Sequence, residues 1–329
     1  MAITANEKIL TLDYWKRADK LVEGDYIFDR NGDLRKVTLI QHFQSKCYQV
    51  HLSDLLTVSG NAAMHFLLET PKYRKRILEY KGKRPFKRPL LLSPLAELLD
   101  KSLRHKNNAH YFSIPTCGAL KLPHQDLPVP PFVFGYWYWN RLKPNVFSAH
   151  KLNADEVLEN FRNYGYEIIK PKKRKDGATI FSVFPTIESQ LIPFIPKEIP
   201  NNYLLGSEEQ RIELLCGIIH AKIRQFKKNK KVFRISGSSW PEIRKIQGLV
   251  ESLGSKTTLV YHEKWKYYTL GFKKCNLPGS LELEQRVRVH QARRYITEIE
   301  ELTTQQCVHI ETDGPDGSFL VGEGFIACR

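Results

Sequence analysis

The sequence predicts a β-rich domain formed by both ends of the chain, with an inserted α/β domain of two similar halves. Three observations predict it. Residues 1–70 and 290–329 read as short strands; a helix-containing stretch lies between them; and that stretch carries two apolar helical runs, each with an internal glycine, Gly135 and Gly217. Two terminal β pieces can share one core because the ends of a domain commonly lie close together.

The N-terminal strands come first. "KILTL", "DYIFDRNGDLRKVTLIQHF" and "CYQVHLSDLLTVSG" alternate apolar and polar residues, and Asn31-Gly32 is a hairpin signal. Residues 71–106 hold twelve Lys/Arg against three acids and read as a basic insertion. The middle has helix patterns at 153–163, 207–223 and 240–254, with strands "TIFSVF", "VFRIS", "TTLVYH" and "YYTLGF". The C-terminal part reads "QQCVHIET", a Gly-Pro-Asp-Gly turn at 314–317, then "SFLVGEGFIA". The expected division is 1–125, 126–290 (halves of about 126–205 and 206–285) and 291–329. The two glycine-bearing runs predict helices that meet at small residues.

The composition, 42% hydrophobic and 11% aromatic, is that of a globular chain. No apolar run reaches the roughly 18 residues of a membrane span, and no signal peptide is read. The six cysteines contain no CxxC pair, which speaks against a zinc site and suits a reducing cytoplasm. Fifty-one Lys/Arg against 35 Asp/Glu give a net charge of +16, a balance that favours nucleic acid as a partner. The charge is clustered: "KPKKRK" at 170–175, and seven basic residues without an acid from Lys222 to Arg234.

Two stretches resemble a known family. "LLCGIIHAKI" followed by "VFRISGSSWPEIRKIQGLVESLGSKTTLVYHEKWKYYTLGF" resembles the second half of a LAGLIDADG homing endonuclease, and "LPVPPFVFGYWYWNR" resembles its first helix. The chain ends resemble the opening and closing blocks of an intein: "AITANEKILT", and "RRYITEIEELTTQQCVHIETDGPDGSFLVGEGFI". The resemblance covers nearly the whole chain. It implies a horseshoe-like Hint splicing domain interrupted by a pseudo-two-fold endonuclease-like domain, acting as a monomer on flanking host segments (exteins). The alternative is a stand-alone LAGLIDADG-type DNA- or RNA-binding protein or maturase.

The resemblance also implies site residues, and several depart from the family pattern. Splicing needs a thiol or hydroxyl where Ala2 stands. The assisting His position falls on Ala63 or His65. A further catalytic polar residue falls on His309 or Cys307. At the end, Cys328 stands where Thr is frequent and Arg329 where a penultimate His is usual. A terminal Asn is needed to release the C-terminal flank, so the chain as written is expected not to splice. Family endonucleases place one metal-binding carboxylate at the C-terminal end of each central helix. Asn140 and Lys222 occupy those positions, so no metal site or cofactor is expected and the insert should not cut DNA. Binding of double-stranded DNA can outlive cleavage through Lys172, Lys173, Arg174, Lys175, Arg224, Lys227, Lys228, Lys230 and Lys231.

Overall fold

The computed structural model describes residues 2–12, 14–72, 74, 91–143, 145–192, 198–222, 232–273 and 293–329. The chain divides into two compact units: Met1–Lys121 with Gly254–Lys256 and Arg286–Arg329, and Leu122–Leu253 with Thr257–Gln285.

The first unit is β-rich and uses both chain ends. Its framework is a pair of long antiparallel strands, Leu34–Leu52 and Arg293–Thr312, which also frame the short strands Thr57–Asn61 and Ile3–Thr4. Ile3 pairs with Val308 on one side and Gly60 on the other, so the first strand is inserted in the sheet. A second sheet orders Phe319–Val321, Ile326–Cys328, His65–Leu68 and Leu91–Pro94. The turns follow the sequence. Gly32 adopts φ +82° after Asn31, and Gly317 adopts φ +62° while Asp316 accepts from the Ser318 N–H at 3.0 Å.

The inward residues of these strands make one core, with Ile3, Val50, Val58 and Phe66 from the N-terminal part and Val308, Ile310, Val321 and Ile326 from the C-terminal part. Two ion pairs anchor the start of the last long strand. Arg294 meets Asp54 at 2.7 Å with both side chains 1% exposed, and Arg293 meets the buried Glu69 at 3.0 Å. Loss of Arg294 would leave the buried Asp54 carboxylate uncompensated, at a cost of about 3–5 kcal/mol. Of the basic stretch 71–106, residues 73 and 75–90 lie outside those described. The remainder includes the strand Leu91–Pro94 and the short helix Ala96–Leu99.

The second unit has two halves of the same plan. In the first, the helix Pro131–Asn140 leads into strands Arg141–Lys143 and Val146–Ala149, the helix Ala154–Asn163, and strands Glu167–Lys173 and Thr179–Phe184. In the second, the helix Glu208–Ala221 is followed by the strand Val232–Gly237, the helix Trp240–Ser252, and strands Thr257–His262 and Tyr267–Lys273. In both sheets the last strand sits inside the one that precedes it. Ser207 opens the second central helix with a reciprocal capping box to Gln210, and Ser239 caps the helix that begins at Trp240.

The central helices, Pro131–Asn140 and Glu208–Ala221, pack on each other at their glycines. A Cβ on Gly135 would stand 2.5 Å from the Leu214 carbonyl oxygen, and one on Gly217 would collide with the Phe132 carbonyl. One hydrophobic core runs through both halves, including Phe134, Trp137, Phe161 and Phe181 from the first and Leu214, Ile235, Ile246 and Phe272 from the second. No helix among the described residues is long and apolar enough to cross a membrane.

Candidate functional site

The first site lies where the two chain ends enter the sheet. Ala2 is 1% exposed, and its N–H donates to the Asn61 carboxamide oxygen at 3.2 Å. The Asn61 N–H in turn donates to the Ala2 carbonyl at 3.0 Å. Four residues further along the same segment, His65 and Arg329 exchange backbone hydrogen bonds of 2.9 and 3.0 Å. One short run of chain, residues 61–65, therefore holds both the first and the last described residues.

Sequence reasoning placed the assisting position at Ala63 or His65. The side chain that meets the Ala2 amide is that of Asn61. The chain turns after Asn61, where the Met64 N–H bonds the Asn61 carbonyl at 2.9 Å. Ala63 is exposed on that turn, and the His65 ring lies with Nδ1 2.7 Å from the Ala63 carbonyl oxygen. The available signal for Asn61 was a polar residue ending an otherwise buried strand, Thr57–Asn61.

Of the alternatives Cys307 and His309, Cys307 packs against Ala2, together with Cys47. The Cys47 and Cys307 sulfurs are 3.2 Å apart. Burial, reinforced by the neighbouring Cys47 thiol, pushes the Cys307 thiol up to about 12, so at neutral pH it is protonated and a weak nucleophile. The His309 ring is 3.1 Å from the Glu311 carboxylate. Cys328 is buried, and its thiol is pushed upward by burial first and by the Glu7 charge second. Glu7 was not singled out from the sequence. Its carboxylate accepts from the Ser59 N–H at 2.6 Å, and burial raises it to about 7.

The second site is at the C-terminal ends of the central helices. Asn140, the last residue of its helix, donates through Nδ2 to the Tyr136 hydroxyl at 2.7 Å and to the Ser148 carbonyl. Lys222 caps the other helix and lies 4.5 Å from the Trp139 ring centroid. Burial lowers its pKa, and Glu242 opposes that shift. A carboxamide engaged as a donor and an ammonium do not fit a divalent cation, because the ammonium repels it.

The solvent side of the second unit carries the remaining candidates. Lys172, Lys173, Arg174 and Lys175 are exposed around the hairpin joining Glu167–Lys173 to Thr179–Phe184. The Arg174 N–H bonds the Ala178 carbonyl at 2.7 Å, and Gly177 adopts φ +83° to close the turn. Arg224, Lys227, Lys228, Lys230 and Lys231 lie outside the described residues.

Fold and sites together define a two-unit chain: a β unit that gathers both chain ends, and an α/β unit of two halves joined at paired helices. No protein-family model matches the sequence. The chain is similar to a replicative DNA helicase DnaB of Mycobacterium intracellulare, 25% identical over 232 residues, and the match covers 66% of this chain and 37% of the helicase. Among solved structures it is similar to the MchDnaB-1 intein, with 19% identity, 20% of this chain and 53% of that one covered, and a TM-score of 0.20. It is also similar to a variant of the Ssp DnaB mini-intein, with 8% identity, 100% and 97% covered, and a TM-score of 0.33. A third is I-DmoI in complex with DNA and Mn, with 13% identity, 44% and 89% covered, and a TM-score of 0.30.

Proposed function

We propose that the chain is an intein-type element: a splicing fold whose substrates are the host segments flanking Ala2 and Arg329, carrying an endonuclease-like insert that binds DNA without cutting it. The observation that carries the reading is the shared segment 61–65, which bonds Ala2 at one end and Arg329 at the other. Two peptide bonds that must be processed at one centre need both junctions on one support. The ordered sequence blocks at both chain ends support the same reading. No disulfide joins the described cysteines, and all of them are buried, which suits a reducing cytoplasm.

The chemistry follows from the residues present. The N–H held by Asn61 belongs to the peptide bond preceding Ala2, the bond an acyl shift would break. The carboxamide oxygen fixes that N–H but cannot protonate a departing nitrogen as an imidazolium would. Ala2 has a methyl group where a nucleophile is required. In the insert, the helix ends offer no carboxylate pair to activate water, while the basic hairpin retains phosphate-binding charge.

The test places the chain between two reporter domains. With Ala2 in place, only uncleaved precursor is expected. Ala2→Cys together with Asn61→His, Arg329→His and an Asn followed by Cys, Ser or Thr placed after Arg329 should yield ligated reporters on a denaturing gel. If that combination cleaves neither junction while remaining folded, the splicing reading is wrong.

A further inference from the structure

The second half of the insert carries an aromatic surface that its core does not use. The strands Thr257–His262 and Tyr267–Lys273 are joined by a single 3-10 turn, Glu263–Trp265, with Lys266 in the left-handed conformation at φ 50°. This geometry lifts Trp265 off the sheet, and its side chain is 62% exposed. Two rings on the adjoining strands accompany it. Tyr267 lies 6.2 Å away with the ring planes 28° apart, and His262 lies 4.5 Å from Tyr267.

The three rings belong to the face turned away from the core. Leu259, Tyr268, Leu270 and Phe272 take the inward positions, whereas His262, Tyr267 and Thr269 take the alternate ones. On that outer face Thr269 Oγ1 lies 3.0 Å from His262 Nε2 and 3.2 Å from Ser236 Oγ, so side-chain hydrogen bonds brace the platform from below. The turn has two cations, Lys264 and Lys266, and one acid, Glu263, all exposed. The Lys264 ammonium sits 5.5 Å from the Trp265 ring centroid, on a side chain free to swing toward a phosphate.

We propose that this hairpin tip is a stacking platform for an unpaired base of a bound nucleic acid, with Trp265 taking the base and Lys264 and Lys266 the adjoining phosphates. The inference rests on the nucleic-acid reading of the insert and adds the form of the ligand. An exposed indole flanked by ammonium groups matches an unpaired nucleotide, which offers a π-face and an anionic backbone together. A fully paired duplex hides its base faces and would use only the charges.

The test compares the full chain with Trp265→Ala and Trp265→Phe, by fluorescence anisotropy at 50 mM salt. The probes are single-stranded DNA, single-stranded RNA and a fully paired DNA duplex of one sequence. Trp265→Ala should weaken binding of at least one single strand by about 5- to 150-fold. It should change duplex binding by less than about twofold, and Trp265→Phe should recover most of the loss. Equal losses on single-stranded and duplex probes, or no loss on any, would overturn the proposal while leaving DNA binding by the insert intact. Absence of binding to every probe would overturn both.

Discussion

The two halves of the insert share one plan and differ in what they show to solvent. After its central helix each runs strand, helix, strand, strand, the first half adding the strand Arg141–Lys143 at its start, and in each the final strand lies inside its predecessor. Their inward positions correspond: Phe147, Phe181 and Val183 in one sheet, Phe233, Leu270 and Phe272 in the other. Their hairpin tips do not. The first is charged, with Lys172, Lys173, Arg174 and Lys175, and the second is aromatic, with His262, Trp265 and Tyr267. Packing constrains what faces the shared core, whereas an exposed position accepts almost any side chain with a change of about 0.5 kcal/mol or less. The helix ends differ as well, one closing on a hydrogen-bonded Asn140 and the other on a partly desolvated Lys222.

The largest effect should come from the joint, where the halves are alike. Gly217→Ala forces a methyl into the Phe132 carbonyl, and Gly135→Ala forces one against Leu214. Each should cost about 3 kcal/mol, read as a lowered Tm or denaturation midpoint. A neutral result at one glycine and a large loss at the other would show that the joint is not symmetric.

The charged tip comes next. Replacing Lys172, Lys173, Arg174 and Lys175 with Ala should flatten the salt dependence of duplex binding. Up to four lost phosphate contacts lower the log–log slope by as much as about 3.6. The fold should be unchanged, since all four side chains are exposed. An unchanged slope would mean that this hairpin only solubilises the chain.

The helix ends should then respond in opposite directions. Asn140→Leu removes the donor to Tyr136 and the Ser148 carbonyl, and should destabilise by about 1–3 kcal/mol. Lys222→Met should stabilise, raising Tm by about 1–3 °C at pH 7. The sign follows from the lowered pKa. The stabilising share of Lys222 is present above its unfolded value of 10.5 and lost as pH falls through the lower folded value. At pH 7 Lys222 is therefore a cost, and the advantage of Lys222→Met should shrink as pH climbs toward 10.5. Thermal melts at pH 7 and pH 10 check it.

The smallest effect separates the joint glycines from an ordinary one. Gly248 lies within the helix Trp240–Ser252, and a Cβ there meets nothing within 4 Å. Gly248→Ala should stabilise by about 0.5–1 kcal/mol. A loss of stability would mean that the helix surface is more crowded than its neighbours indicate.

Much of the plan was readable from local pattern. The window 207–223 is the helix Glu208–Ala221 with Ser207 as its cap, and "TTLVYH" and "TIFSVF" are strands over those same residues. Gly135 and Gly217 were legible as contact points because a glycine inside an apolar helical run has few other uses. The first site was less accessible. Asn61, Glu7 and Cys47 lie far in sequence from Arg329, Cys328 and Cys307, and nothing about any one of them alone marks it.

The sequence by itself determined the helices near 153–163, 207–223 and 240–254, the strands at 179–184 and 257–262, the β character of the two chain ends and the absence of carboxylates at Asn140 and Lys222. Those properties reside in periodicity, turn residues and side-chain identity, which are local. Only the tertiary structure decided that Asn61 meets the Ala2 amide, that Cys307 rather than His309 packs beside Ala2, and that Glu7 is buried against Ser59. Each of these depends on the register between strands distant along the chain. A shift of one residue would turn every side chain to the opposite face, and no single stretch of sequence records that choice.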